Sequence, residues 1–239
     1  TMVDFIEEPF TVISPRYQHK LSCIFHRKRN PYVDDQNREH IVILCHGYLS
    51  NKNALFLPQL SRDISDLTTN QFHSVRFDFH GCGESTGRDE WDYGGYENEA
   101  KDDLRSIVEY LRNKNEKYFI RGLIGHSRAG TTVLLYTLYY DDIPIVVNIA
   151  GRYRLELAIG RRQNLDRNQI ENIHQVKVLN IEAGKDDVVP CDDIYLYQAQ
   201  LKNTKKSEVG IVPNANHLFT GKERELINII QPWIQQSID

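Results

Sequence analysis

Short apolar runs alternate with helix-like segments along most of this 239-residue chain, and this alternation constrains the fold more than any other feature. In order, the runs are HIVILCHG, FHSVRFDF, KYFIRGLIG, IPIVVNIAG, VKVLNIEAG and SEVGIVP. HIVILCHG and IPIVVNIAG are continuously apolar, which is typical of strands that are buried on both faces of a sheet. Strands and helices that alternate in this way form a mostly parallel, twisted sheet with helices on both faces. We therefore predict an α/β fold.

Two further segments extend this architecture. FTVISPRYQHKLSCIFHRK contains two alternating runs separated by a Ser-Pro-Arg turn, which predicts a β-hairpin and brings the sheet to about eight strands. YENEAKDDLRSIVEYLRNK predicts a strongly amphipathic helix. Its apolar face is formed by Ala100, Leu104, Ile107, Val108 and Leu111.

The chain shows no repeat, linker or low-complexity tract that would divide it. Thr1 precedes Met2, which we take as the native start, and we expect a single domain over residues 2–239. Residues 151–174 are polar, rich in arginine and without a clear strand. We predict that they form a short cap within the domain.

Composition narrows the range of functions. Hydrophobic residues make up 40% of the chain and charged residues 26%, which is typical of a folded globular domain. The net charge of −4 argues against a nucleic-acid partner. No apolar run reaches the roughly 20 residues of a membrane span. The four cysteines form no C-x-x-C pair, which suggests free thiols, and with no signal peptide visible we expect a cytoplasmic protein.

Reactive residue types follow the predicted strands. The segments CHGYLS, GHSRAG, GKDDVVP and NANHLF each come directly after a strand. Because the carboxyl ends of parallel strands meet at one edge of the sheet, these segments are expected to lie together. They supply Ser127, His217 and an aspartate, either Asp186 or Asp187. A serine needs a base to take its proton, and the base needs an acid to fix its tautomer.

The residues around Ser127 suit a sharp turn between a strand and a helix. Gly125 and Ala129 are small, so that the backbone can pass close to its neighbours. The helix that begins near Arg128 directs free N–H groups toward Ser127, where they could stabilise an oxyanion.

These motifs resemble those of the α/β-hydrolases over nearly the whole chain. GHSRAG matches the nucleophile-elbow pattern Gly-x-Ser-x-Gly, with alanine in place of the last glycine. RFDFHGCGESTG resembles the loop after the fourth strand in the monoacylglycerol-lipase-like and feruloyl-esterase-like branch, also called serine-aminopeptidase-like hydrolases. The resemblance implies a serine hydrolase that cleaves carboxylic esters of small to medium acyl groups, with no cofactor or metal.

By the same resemblance, Ser127 is the nucleophile and His217 the general base. The family pattern Asp-x-hydrophobic-Val-Pro favours Asp186 as the acid, although counting from Gly184 would select Asp187. The backbone N–H groups of Tyr48 and Arg128 would form the oxyanion hole.

Other interpretations are kept beside this one. The leaving group could be a thiol or an amine, as in an acyl-protein or acyl-CoA thioesterase or a small-peptide hydrolase, or the chain could be a non-catalytic ligand-binding member of the fold. His46 is expected to pack beneath the oxyanion loop and His80 to be structural. Neither Cys45 nor Cys82 has a visible base partner.

The predicted cap carries five arginines against three acidic residues, an excess of two positive charges. The residues are Arg152, Arg154, Arg161, Arg162 and Arg167 against Glu156, Asp166 and Glu171. This charge could favour substrates with an anionic group, or it could simply belong to a solvated lid surface.

Overall fold

The computed structural model describes residues 5–65, 71–92, 94–154 and 167–236, which form one eight-stranded sheet flanked by helices. The strands are β1 (Phe5–Ile13), β2 (Lys20–Lys28), β3 (Glu39–Cys45), β4 (His73–Phe77), β5 (Tyr118–His126), β6 (Ile145–Ile149), β7 (Lys177–Ala183) and β8 (Lys206–Val212). Their order in the sheet is β1-β2-β4-β3-β5-β6-β7-β8. The predicted α/β fold of about eight strands is confirmed.

The sheet is antiparallel at one edge and parallel elsewhere. β1 and β2 form the predicted hairpin, in which Ile13 is opposite Lys20, and β2 also pairs antiparallel with β4. All pairs from β4 through β3, β5, β6 and β7 to β8 are parallel. The carboxyl ends of β3 to β8 therefore share one edge of the sheet.

Helices cover both faces. They are α1 (Leu57–Ser65), α2 (Gly95–Asn98), α3 (Arg105–Lys114), α4 (Arg128–Tyr140), α5 (Asp193–Gln200) and α6 (Glu223–Ile234), with short 3₁₀ turns at Arg88–Glu90 and Arg167–Asn172. Successive residues of β3 point to opposite faces. Ile41 and Ile43 join the apolar layer beneath α3, α4 and α5, whereas Val42 and Leu44 join the layer beneath α1 and α6.

The predicted amphipathic helix is interrupted by a π-helical segment, Glu99–Leu104, between α2 and α3. Its predicted apolar face is buried. Three acidic residues that the pattern placed on the polar face are buried as well, namely Glu99, Asp102 and Asp103. Each accepts a hydrogen bond from another element, because Arg128, the Arg16 backbone and His80 lie against this segment. π-Helical turns of this kind often occur near functional sites.

Much of the predicted cap, residues 155–166, lies outside the described residues. On its far side, Ile170 and Ile173 pack into the core layer beneath α4. The single domain over residues 2–239 stays a prediction. Among the helices that the structure describes, none is both long and apolar enough to cross a membrane.

Candidate active site

The structure brings the three predicted side chains together at the carboxyl edge of the sheet. Ser127 follows β5, Asp186 follows β7 and His217 follows β8. His217 Nε2 lies 2.8 Å from the Ser127 Oγ, and His217 Nδ1 lies 2.8 Å from Asp186 Oδ2. With the proton on Nδ1, His217 donates to the carboxylate and accepts from the serine hydroxyl. A base in this state can remove the serine proton.

Ser127 sits in a strained turn. Its φ is 55° and its ψ is −119°, a combination that side-chain-bearing residues rarely adopt. The turn is held because the Ser127 N–H donates to the Ile149 carbonyl over 2.8 Å and the Ser127 carbonyl accepts from the Gly130 N–H over 2.9 Å. A Cβ at Gly125 would lie only 2.1 Å from the Ala129 carbonyl oxygen. Glycine is therefore required where strand and helix cross.

Asp186, rather than its neighbour Asp187, faces the histidine. Its second oxygen, Oδ1, accepts the backbone N–H groups of Val188 and Val189, each over 2.8 Å. Burial opposes ionisation, but the hydrogen bonds from His217 and these two N–H groups outweigh it, so the pKa of Asp186 lies below its usual 3.8. Asp187 is exposed. The carboxylate beside His217 is thus ionised near neutral pH.

The residue before the serine supports the base. His126 is buried, and its Nε2 donates to the His217 backbone carbonyl over 2.9 Å. Phe56 and Phe219 pack edge-on against its ring. Burial, with a smaller contribution from the nearby His217, lowers the pKa of His126 to about 4. His126 therefore stays neutral and ties the end of β5 to the loop that carries His217.

The loop after β3 passes close to Ser127, because a Cβ at Gly47 would lie 3.2 Å from the Ser127 Cβ. His46 Nδ1 donates to the Gly47 carbonyl over 2.7 Å, and His46 Nε2 accepts the Phe79 N–H over 3.1 Å. The Gly47 carbonyl and the Tyr48 N–H belong to one planar peptide group and point in opposite directions. The hydrogen bond to the carbonyl therefore fixes the direction of the Tyr48 N–H. His46 is buried beneath this loop, as expected, and burial lowers its pKa.

Arg128 begins α4, so its backbone N–H is one of the first-turn donors without an intrahelical acceptor. Its side chain is anchored: Nε donates to Glu99 Oε1 over 2.6 Å, and the guanidinium lies 4.3 Å from the centre of the Tyr96 ring. The other Glu99 oxygen accepts from Thr132 over 2.9 Å. The Arg128 side chain is thus held by Glu99 and Tyr96 at the start of the helix, and Thr132 in turn holds Glu99.

A buried ion pair ties the Tyr48 loop to the loop after β4. The Lys52 Nζ lies 2.6 Å from Asp78 Oδ2 and 2.6 Å from Glu84 Oε2, while the Lys52 N–H donates to Asp78 Oδ1 over 2.6 Å. Lys52 and Asp78 are both buried, whereas the Glu84 side chain is exposed. These contacts immobilise both segments that surround His46.

Within the residues that the structure describes, one group has metal-type ligand atoms within 4.8 Å of one another: His19, His80 and Asp103. His80 Nδ1 is bonded to Asp103 over 2.6 Å, and His19 Nε2 is bonded to Glu90 over 2.7 Å. The two imidazole rings stack with an interplanar angle of 10°, so their lone pairs do not converge on one point. The cluster is therefore a pair of imidazole–carboxylate contacts, which supports the structural role expected for His80.

Comparison with known proteins agrees with the observed fold. A family model described as "alpha/beta hydrolase fold" matches residues 40–158, about half of the chain. The chain is an α/β-hydrolase-fold protein. An uncharacterised Bacillus subtilis protein, YqkD, is 31% identical over 106 residues. That match covers 44% of this chain and only 32% of YqkD, so the chain spans about a third of this relative's length.

Several solved structures share the fold. The Pyrococcus furiosus esterase Pf2001 superimposes with a TM-score of 0.78 at 17% identity, covering 98% of this chain and 92% of the esterase. XC6422 from Xanthomonas campestris, described as a serine hydrolase without a lid, gives 0.71 at 20% identity, with 96% and 94% covered. Est1E from Butyrivibrio proteoclasticus gives 0.72 at 13% identity, with 95% and 97% covered.

Some residues around the site were not singled out from the sequence. They are His126, Lys52, Asp78, Tyr96 and Glu99. The position directly before Ser127 is the one signal that could have indicated His126. The partners of Lys52 and Glu99 lie 26 and 29 residues away along the chain, beyond any local pattern.

Proposed function

We propose that this α/β-hydrolase-fold protein is a serine hydrolase that cleaves carboxylic esters. The observation that carries the proposal is the continuous hydrogen-bonded series from Ser127 through His217 to Asp186. With the proton of His217 on Nδ1, one nitrogen donates to Asp186 and the other accepts from Ser127, which is the arrangement that nucleophilic catalysis needs.

In the proposed reaction, Ser127 Oγ attacks the ester carbonyl while His217 Nε2 takes its proton. Asp186 stabilises the resulting imidazolium. The Tyr48 and Arg128 N–H groups donate to the oxyanion. The tetrahedral intermediate then collapses, His217 protonates the departing alcohol, and an acyl-enzyme remains. Water, deprotonated by His217, releases the acid.

Exposed apolar side chains on the loops around the site support an organic ester as the substrate. Four exposed hydrophobic side chains belong to the loops that carry the proposed machinery: Tyr48 (46% exposed), Leu49 (51%), Val188 (53%) and Leu218 (44%). The Tyr48 ring also packs edge-on against Trp91, with 5.2 Å between ring centres. Sites for small organic ligands are typically lined by such side chains, with a few polar groups that fix orientation.

Labelling with a fluorophosphonate probe tests the proposal, because the probe reacts with activated serines. Wild type should label, whereas Ser127→Ala should not. Ser207→Ala is a matched control, since Ser207 lies on β8 and bonds Gln198. It should label like wild type. A panel of p-nitrophenyl esters of rising acyl length would then measure kcat/KM. Absence of labelling in wild type would contradict the proposal.

A further inference from the structure

We propose that Arg152 binds an anionic group, a carboxylate or a phosphate, on the ester substrate. This inference rests on the proposed hydrolase function and specifies the substrate class for the same site. It is carried by the contacts of Arg152 with the first turn of α4 and with the loop that follows Asp186, and by the lack of a carboxylate partner for Arg152 among the described residues.

The backbone of Arg152 is fixed against the helix that starts at the nucleophile. Its carbonyl accepts from Thr131 Oγ1 over 3.1 Å and from the Tyr197 hydroxyl over 2.8 Å. The preceding residue packs equally closely, since a Cβ at Gly130 would lie 3.0 Å from the Gly151 Cα. Arg152 therefore stands over the first turn of α4, near Ser127.

The side chain of Arg152 extends from α4 to the loop that carries Asp186. Its Nη2 donates to the Val188 carbonyl, two residues beyond Asp186. The Val188 N–H is itself held by Asp186 Oδ1. The Val188 carbonyl shares a peptide group with the Val189 N–H, which donates to Asp186 Oδ1, so the guanidinium lies against the loop after β7 on the side that faces away from this oxygen.

Among the described residues, no carboxylate is bonded to the Arg152 guanidinium, whereas neighbouring arginines are paired. Arg154 is bonded to Asp192 and to Asp193, the latter over 2.5 Å. Arg128 is bonded to Glu99. For Arg152, the contact in the described part of the chain is a neutral carbonyl. A guanidinium has five N–H donors in a planar fork that fits a carboxylate or phosphate, so most of them remain for a ligand.

Arg128 is a second cation near Tyr96, the ring on which the charge of Arg152 also acts. Burial raises the pKa of the Tyr96 phenol, while the charges of Arg128 and Arg152 both act to lower it, so both guanidinium groups lie near this ring. Tyr96 itself packs against Arg128. Glu99, which is bonded to Arg128, acts on Tyr96 in the opposite direction, so Arg152 is the guanidinium in this region that has no bonded carboxylate among the described residues and would attract an anionic group.

Two matched pairs of esters test the inference and locate the anion. The first compares p-nitrophenyl hemiglutarate with p-nitrophenyl valerate, which places the charge on the acyl side. The second compares 4-carboxyphenyl butyrate with phenyl butyrate, which places it on the alcohol side. The measured quantity is the ratio of kcat/KM for the anionic ester to that for the neutral one, in wild type and in Arg152→Gln at equal ionic strength.

We expect Arg152→Gln to lower this ratio about tenfold in one of the two pairs, with hydrolysis of the neutral ester little changed. Lys185→Gln is the control, because Lys185 is an exposed cation next to Asp186. It should leave the ratio near that of wild type. An unchanged ratio in both pairs, or an equal loss with Lys185→Gln, would overturn the inference while leaving ester hydrolysis intact.

Calorimetry on Ser127→Ala separates this inference from the proposed function. This variant keeps Arg152 and cannot form an acyl-enzyme, so binding of the anionic and neutral esters can be measured directly. Tighter binding of an anionic ester that disappears in Ser127→Ala/Arg152→Gln would support the anion site even if wild type proved inactive. Equal binding of the charged and neutral esters would refute it.

Discussion

Gly47 packs directly against Ser127: a Cβ at Gly47 would lie 3.2 Å from the Ser127 Cβ. The same Cβ would lie 3.3 Å from the His126 carbonyl oxygen. Both distances are shorter than ordinary van der Waals contact. A side chain at position 47 would therefore press against Ser127, and the peptide group that carries the Tyr48 N–H lies close to the serine. The close approach explains why a glycine precedes the proposed oxyanion donor.

Replacing Gly47 with alanine should therefore push the Tyr48 N–H away from the reacting carbonyl. We expect Gly47→Ala to lower kcat roughly 10- to 100-fold, because a donor directed at the oxyanion acts mainly in the transition state. KM should change little. Steady-state kinetics on p-nitrophenyl butyrate measure both constants, and urea unfolding verifies that the variant is folded. An unchanged kcat in the folded variant would contradict this role for the loop.

The two adjacent aspartates provide a second comparison. Asp186→Asn should lower kcat by about 10⁴-fold, because an amide can present its NH₂ to His217 and favour the wrong tautomer. Asp187→Asn should remain close to wild type, since Asp187 is exposed and Asp186 occupies the position beside His217. The two variants differ by one position and carry the same change of charge. Equal activities would show that the acid has been misassigned.

The sequence predicts the topology well, because each strand and helix leaves a local signal. The serine, the histidine and the ends of their strands are also local features, and the parallel order of the strands brings them to one edge. The choice between Asp186 and Asp187 is different. It depends on which carboxylate is turned toward His217, and that direction is set by the N–H groups of Val188 and Val189.

The sequence did not reveal which buried charged residues bond one another. The periodicity of residues 96–114 places Glu99 on the polar face of a regular helix. Glu99 is buried instead, because it lies in the π-helical segment and its carboxylate bonds Arg128 of α4. Such pairings depend on which elements pack together, and hydrophobic periodicity carries no information about them.

The Lys52–Asp78 pair should contribute strongly to stability. Lys52→Met leaves the buried Asp78 carboxylate without its countercharge, so we expect the free energy of unfolding to fall by about 3–5 kcal/mol. Adding Asp78→Asn should restore part of this loss, because the buried charge is then removed. Glu84→Gln should cost much less, since the Glu84 side chain is exposed. Urea unfolding measures wild type, Lys52→Met, Asp78→Asn, the double variant and Glu84→Gln, and additive effects of the two core substitutions would argue against direct coupling.

Acid should destabilise the fold partly through His126. Its pKa is about 4 in the folded protein, because of burial, against an ordinary value of 6.5. Between these values the unfolded chain binds a proton that the folded protein does not, so the free energy of unfolding falls as the pH falls from 6.5 toward 4. One such group contributes at most about 3 kcal/mol.

His126→Gln removes the titration and can keep an N–H donor for the His217 carbonyl. Its stability should therefore depend less steeply on pH than that of wild type, by roughly 2 kcal/mol between pH 7 and pH 4.5 in urea unfolding. Parallel pH profiles for the two proteins would contradict this prediction, because they would show that the folded and unfolded states bind a proton at His126 equally.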